Sequence, residues 1–138
     1  MKKMTPDEVA KARREFELDG KNAMQLRAAG MRIVSGTDTG QTRFWIGYFS
    51  HLDLESMVAF GLTPSEAIVA ATHQAAEIAQ LNTGMVATGK NADFIVLDAD
   101  PLDRISNTRR INKVYLRGKE VDRAALAARW QSRFRKAG

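Results

Sequence analysis

Cysteine is missing from all 138 residues. Its absence excludes disulfides, zinc–thiolate sites and thiol nucleophiles, and it agrees with a reducing compartment. Histidine is nearly as scarce, with only His51 and His73. No apolar run approaches the roughly 18 residues that span a bilayer. The opening "MKKMTPDEVAKARREFE" lacks the apolar stretch of a secretory signal. The expectation is a cytoplasmic chain without membrane contact.

Acidic residues are also in the minority, 16 against 21 Lys plus Arg, for a net charge of +5. Much of the excess lies in the closing "RAALAARWQSRFRKAG", which carries Arg123, Arg129, Arg133, Arg135 and Lys136. A basic amphipathic helix there could meet phosphates. The more ordinary use of such a helix is to pack its Leu, Ala, Trp and Phe face on its own domain. Nucleic acid is therefore not the expected partner, and Trp130 and Phe134, four apart, read as packing anchors.

What is present is an ordinary soluble composition, 44% hydrophobic and 27% charged, sufficient for one core. Helix start signals occur twice in the same form. Thr5, Pro6 and Glu8 open "TPDEVAKARREFELDG", and Thr63, Pro64 and Glu66 open "TPSEAIVAATHQAAEIAQL", each with a cap, a proline at the first turn and an acid three residues after the cap. Asp19-Gly20 looks like an interruption, with "KNAMQLRAAG" a second helix or a continuation, and Gly30 a C-cap. "MRIVSG" then reads as a short apolar strand, and "HLDLESMVAFG" has helical spacing. From Asn82 the character changes: "GKNAD" is a turn, "FIVL" a strand, and "RINKVYLRGKEV" a strand, a tight turn and a return. Asp122 caps the last helix. The division is residues 1–82 as an α/β part, 83–121 as a small β unit and 122–138 as a basic helix.

This layout cannot close on itself. A parallel-type strand needs neighbours and helices on both faces, and three or four further strands are marginal alone. An α/β barrel needs eight strand–helix units in about 250 residues, and here there is room for one with its preceding helix. The chain is expected to be part of a larger fold, or to pair with copies of itself or with another polypeptide.

"GTDTG" ends the expected strand. Asp38 there could be a metal or catalytic carboxylate, because barrel active sites gather at the carboxyl ends of strands. It could equally be a turn in which Asp38 bonds its own backbone. Thr37 and Thr39 could orient it, or simply satisfy the turn. "GKNADFIVLDADP" is no phosphate loop, since the spacing and the following helix are wrong. Asp98 and Asp100 belong to a surface turn.

Taken in order, "LRAAG", "MRIVSGTDTG", "GLTPSEAIVAATHQAAEIAQL" and "GMVATGKNADFIVLDADPLDRI" closely resemble the carboxy-terminal third of metal-dependent amidohydrolases of the imidazolonepropionase-like and cyclic-imidase-like branch, over residues 23 to 121. The resemblance implies an α/β chain comprising the last strand–helix unit of a (β/α)8 TIM-like barrel, part of a flanking composite β-sandwich and a C-terminal helix. It implies that Asp38 contacts the metal, zinc or another divalent ion, and takes the proton of the attacking water. The reaction implied is hydrolysis of an amide or cyclic amide C–N bond in a small-molecule substrate. The departure from the family is plain: its His-x-His pair and its later lysine or glutamate and histidine ligands have no counterpart here. One carboxylate cannot hold a catalytic metal that takes about three protein ligands. The chain alone is thus expected to be inactive and to have lost the metal.

Two further residues are candidates for substrate contact. Arg43, in the aromatic loop "TRFWIGYFSH", could pair with a substrate carboxylate, or the loop could plug the rim. His51 could shape the pocket mouth, or simply sit near a helix start. His73 reads as packed or solvated.

Overall fold

The computed structural model describes residues 4–39 and 47–135, with side chains to residue 132. The elements run α1 (Pro6–Ala28), α2 (Tyr48–Phe60), α3 (Pro64–Val69), a π-helical stretch (Ala70–Gln74), α4 (Ala75–Ile78), β1 (Phe94–Leu97), a 3₁₀ turn (Ile105–Arg109), β2 (Ile111–Leu116), β3 (Lys119–Glu120) and α5 (Arg123–Arg135).

Both expected capping boxes form. Thr5 accepts from the Glu8 N–H at 3.3 Å while Glu8 accepts from the Thr5 N–H at 2.7 Å. Thr63 and Glu66 repeat the exchange at 3.2 and 2.8 Å. Each box satisfies two otherwise orphaned donors, and losing such a cap costs about 1 kcal/mol. Arg27, at the end of α1, pairs with Glu66 and so ties the two boxed helices together.

Asp19-Gly20 does not interrupt α1, which is one 23-residue helix. Gly20 is there for space. A Cβ on it would lie 2.4 Å from Phe60 Cδ1, so the missing side chain lets α1 and α2 approach, with Phe16 and Phe60 centroids 4.6 Å apart. The helix ends in a Schellman motif, Met31 N–H to Leu26 C=O at 3.1 Å and Gly30 N–H to Arg27 C=O at 2.9 Å.

"MRIVSG" does not form a strand. Residues 31–38 lie outside the one sheet of the described residues, because strand structure is defined by a hydrogen-bonded neighbour and none is supplied. Ile33 nevertheless packs on the core of Met57, Leu62, Ala67, Ala70 and Ile105, together with Met24, Leu54, Val58 and Ile68.

The helix after Thr63 runs through a π turn. Thr72 Oγ1 donates back to the Ile68 C=O at 2.6 Å there, and the chain returns so closely that a Cβ on Gly84 would be 2.6 Å from the Thr72 carbonyl oxygen. The sheet is antiparallel, in the order β1–β2–β3. Phe94 faces Tyr115 with rings stacked at 4.6 Å, and the register shifts between Val96 and Leu97. Arg117 and Gly118 make the expected tight turn, both with positive φ. It is held from outside by the Asp93 carboxylate, which accepts the Arg117 N–H at 2.7 Å. Asp100 accepts the Leu102 N–H at 2.8 Å in the expected surface turn.

Asp122 caps α5, its carboxylate accepting the Ala125 N–H at 2.8 Å. The expected packing of this helix is not met: Trp130 is 64% exposed and Leu126 51%. No helix of the described residues is long and apolar enough to cross a membrane.

The chain exposes 11,019 Å², whereas a compact monomer of 15.3 kDa exposes about 7,100 Å². No large side chain among the described residues is fully buried. The helices and the sheet expose the apolar faces that a complete domain would cover.

Candidate functional site

The site is built at the end of segment 31–38, where α2 runs alongside. From α2, Asp53 accepts the Ser35 hydroxyl at 2.5 Å and the Gly36 N–H at 3.2 Å with the same oxygen, Oδ2. Two residues further on, Asp38 has φ 51°. This left-handed conformation costs an ordinary L-residue about 1–2 kcal/mol, and Asp is among the few that visit it. Thr37 and Thr39 hydrogen-bond to each other at 3.0 Å across it, so their hydroxyls brace the turn. Asp38 itself is exposed. An open cleft of about 360 Å³ lies beside it, lined by Gly36, Thr37, Phe49, Leu52, Asp53 and Ser56.

His51 serves a different junction. Its Nδ1 is 3.0 Å from Thr108 Oγ1, and the buried Thr108 hydroxyl donates to the Ile105 C=O at 2.9 Å. With that single hydroxyl proton spent, His51 Nδ1–H is the donor of the pair. Glu55, one turn along α2, pairs with Arg109 at 2.8 Å, and the Arg109 guanidinium lies 4.9 Å from the Tyr48 ring centroid. Desolvation foremost, then the Arg109 charge, pushes the His51 pKa down, against a smaller upward pull from Glu55. His51 therefore joins the first turns of α2 to the 3₁₀ turn before β2. Arg43 lies outside the described residues. His73 is partly exposed, 3.5 Å from Glu77, which Arg32 also approaches at 3.1 Å.

Asp53, Thr108 and Arg109 were not singled out by the sequence reading. "LDLES" shows an acid between two leucines, a pattern any solvated helix face also gives. The link of Thr108 and Arg109 to α2 spans more than fifty residues and leaves no local signal.

Asp38 suits a divalent metal as one hard oxygen donor. The described residues contain no group of three His, Cys, Asp or Glu that could hold an ion.

Residues 4–121 match the model of the amidohydrolase family. Adenine deaminase from Methanothermobacter thermautotrophicus is 29% identical over 125 residues, which is 86% of this chain and 22% of the deaminase. Among solved structures, phenylurea hydrolase B is 47% identical over 54% of this chain and 17% of its own, with a TM-score of 0.51. A proposed prolidase from Bifidobacterium longum is 40% identical over 72% of this chain and 25% of its own, with a TM-score of 0.65. The chain spans a quarter or less of the length of each of the three. The fold of such neighbours is of the TIM-barrel type, of which the described residues form an α/β part with a three-stranded sheet.

Proposed function

Because this chain belongs to the amidohydrolase family, we propose that it is the carboxy-terminal part of a metal-dependent hydrolase and supplies that enzyme's catalytic carboxylate, Asp38. Residues 31–38 would be the last barrel strand, residues 83–121 part of the flanking sandwich and residues 122–138 a terminal helix. The observation that carries the reading is Asp38 itself: exposed, with φ 51°, at the end of a segment tied down at Ser35 and Gly36. A turn that needed only a polar residue could relax to an unstrained one, and strain of this kind persists where a site uses it.

In the complete enzyme a divalent metal, zinc foremost, supplies an acidified water when bound. Asp38 accepts that water's proton and returns it to the leaving nitrogen. The bond cleaved is an amide, cyclic amide or related C–N bond of a small molecule. Support comes from the deaminase and the phenylurea hydrolase by their names. The prolidase neighbour extends the range to peptide-type bonds. Arg43 would stand at the substrate. Among the described residues His51 bonds to Thr108, which favours a role at the joint between α2 and the β unit.

The rest of the hydrolase is the proposed partner, alone or together with a second copy of this chain. The surface in excess of a compact monomer, roughly 4,000 Å², is more than the one-sided share of an obligate interface, about 1,000–2,500 Å² per partner. Without that partner the chain is inactive. Replacing the matched segment of phenylurea hydrolase B by the corresponding residues of this chain tests the role of Asp38. The chimera hydrolyses phenylurea, and Asp38→Asn lowers kcat about 10²–10⁴-fold. Full activity of the Asp38→Asn chimera refutes the assignment.

A further inference from the structure

The segment leading to Asp38 lacks what normally fixes such a segment. Among the described residues no strand pairs with 31–38, yet the Gly36 N–H is not left to water. Asp53 takes it at 3.2 Å, and takes the Ser35 hydroxyl at 2.5 Å with the same oxygen. Asp53 is half-buried on α2, and its bonds to another segment add nothing to the helix's own hydrogen-bond ladder. Bonds to a carboxylate are also roughly twice as strong as neutral ones. The clamp closes two residues before a left-handed aspartate, and the Thr37–Thr39 bridge at 3.0 Å closes around it. A side chain leaves such a turn in a direction set by the backbone on either side, so whatever holds residues 35 and 36 aims residue 38.

We infer that Asp53 is a positioning residue: from α2 it holds the Ser35 hydroxyl and the Gly36 N–H and thereby sets the direction in which the Asp38 carboxylate projects. This rests on the reading of Asp38 as the hydrolytic carboxylate. It adds that α2 is the element that registers it. Asp53 acts on Asp38 through the Ser35 hydroxyl and the Gly36 N–H.

Two measurements test this. In the 138-residue chain, Asp53→Ala speeds hydrogen exchange at the Gly36 amide about tenfold or more and moves the Asp38 carboxyl carbon resonance. The amides of Met57 and Val58 within α2 keep their protection. Asp53→Asn, whose side-chain oxygen still accepts, restores both signals toward the parent. If Gly36 exchange and the Asp38 resonance are unchanged in Asp53→Ala, the inference is overturned. In the phenylurea hydrolase chimera, Asp53→Ala lowers kcat about 10–100-fold at unchanged KM, and Asp53→Asn recovers most of it. An inactive Asp38→Asn beside a fully active Asp53→Ala sinks the positioning role alone. An active Asp38→Asn sinks the underlying reading instead.

Discussion

Gly84 and Gly89 form a matched pair for testing how closely the returning chain packs on the helix it follows. Their φ angles are 84° and 82°, so alanine meets the same left-handed penalty at both, about 1–2 kcal/mol. Their surroundings differ. A Cβ at 89 meets nothing within 4 Å, whereas a Cβ at 84 meets the Thr72 carbonyl oxygen at 2.6 Å and the Ala76 Cβ at 2.8 Å. Both obstacles belong to the helix, in or next to its π turn, so no flexible side-chain end can swing away. Overpacking of this kind adds about 1–3 kcal/mol. For a chain of this length the unfolding entropy is about 0.3 kcal/mol/K. Gly89→Ala should then lower Tm by about 3–7 °C, and Gly84→Ala by a further 3–10 °C or so. Calorimetry or thermal circular dichroism on the two variants measures the difference directly. Equal shifts would refute the close approach of residue 84 to the π turn, and with it the seating of the β unit on the helix.

Two pH effects follow from named groups. Glu66 is held down to about 2 from an ordinary 4.5 by the Thr63 N–H first, then by Arg27 and the Thr63 hydroxyl. A carboxyl with its folded pKa depressed stabilises above its unfolded pKa and loses that contribution as pH falls. Urea midpoints of Glu66→Gln should therefore fall less between pH 5 and pH 2 than those of the parent, and parallel curves would contradict this. His51 should titrate below its ordinary 6.5 in nuclear magnetic resonance, because burial and Arg109 disfavour its cation. Its neutral form is favoured in the fold, so its contribution is present above 6.5 and lost below it. Arg109→Gln should raise the midpoint, and an unmoved midpoint would place Arg109 elsewhere.

What the sequence disclosed was what is local. The Thr-Pro-x-Glu boxes, the Arg117-Gly118 turn and the Asp122 cap each satisfy backbone donors within a few residues, so they form whatever surrounds them. Gly20 was ambiguous because its reason is Phe60, forty positions away in the chain. The strand at "MRIVSG" was read from its apolar residues, but a strand is a property of pairs, and no partner for it lies among the described residues. Asp38 stood out through its place in a family pattern. Asp53 did not, since an acid on an amphipathic helix is ordinary until the segment it reaches is known. The basic helix was read as packed because its composition suits packing. Leu126 and Trp130 on it are exposed instead.

On the proposed function, these residues hold one carboxylate of a hydrolytic centre whose remaining ligands come from elsewhere. Calorimetric titration of the purified 138-residue chain with zinc at neutral pH tests it most directly. No tight stoichiometric binding is expected, and no difference between the parent and Asp38→Asn. One zinc bound tightly per chain, and lost in Asp38→Asn, would contradict it.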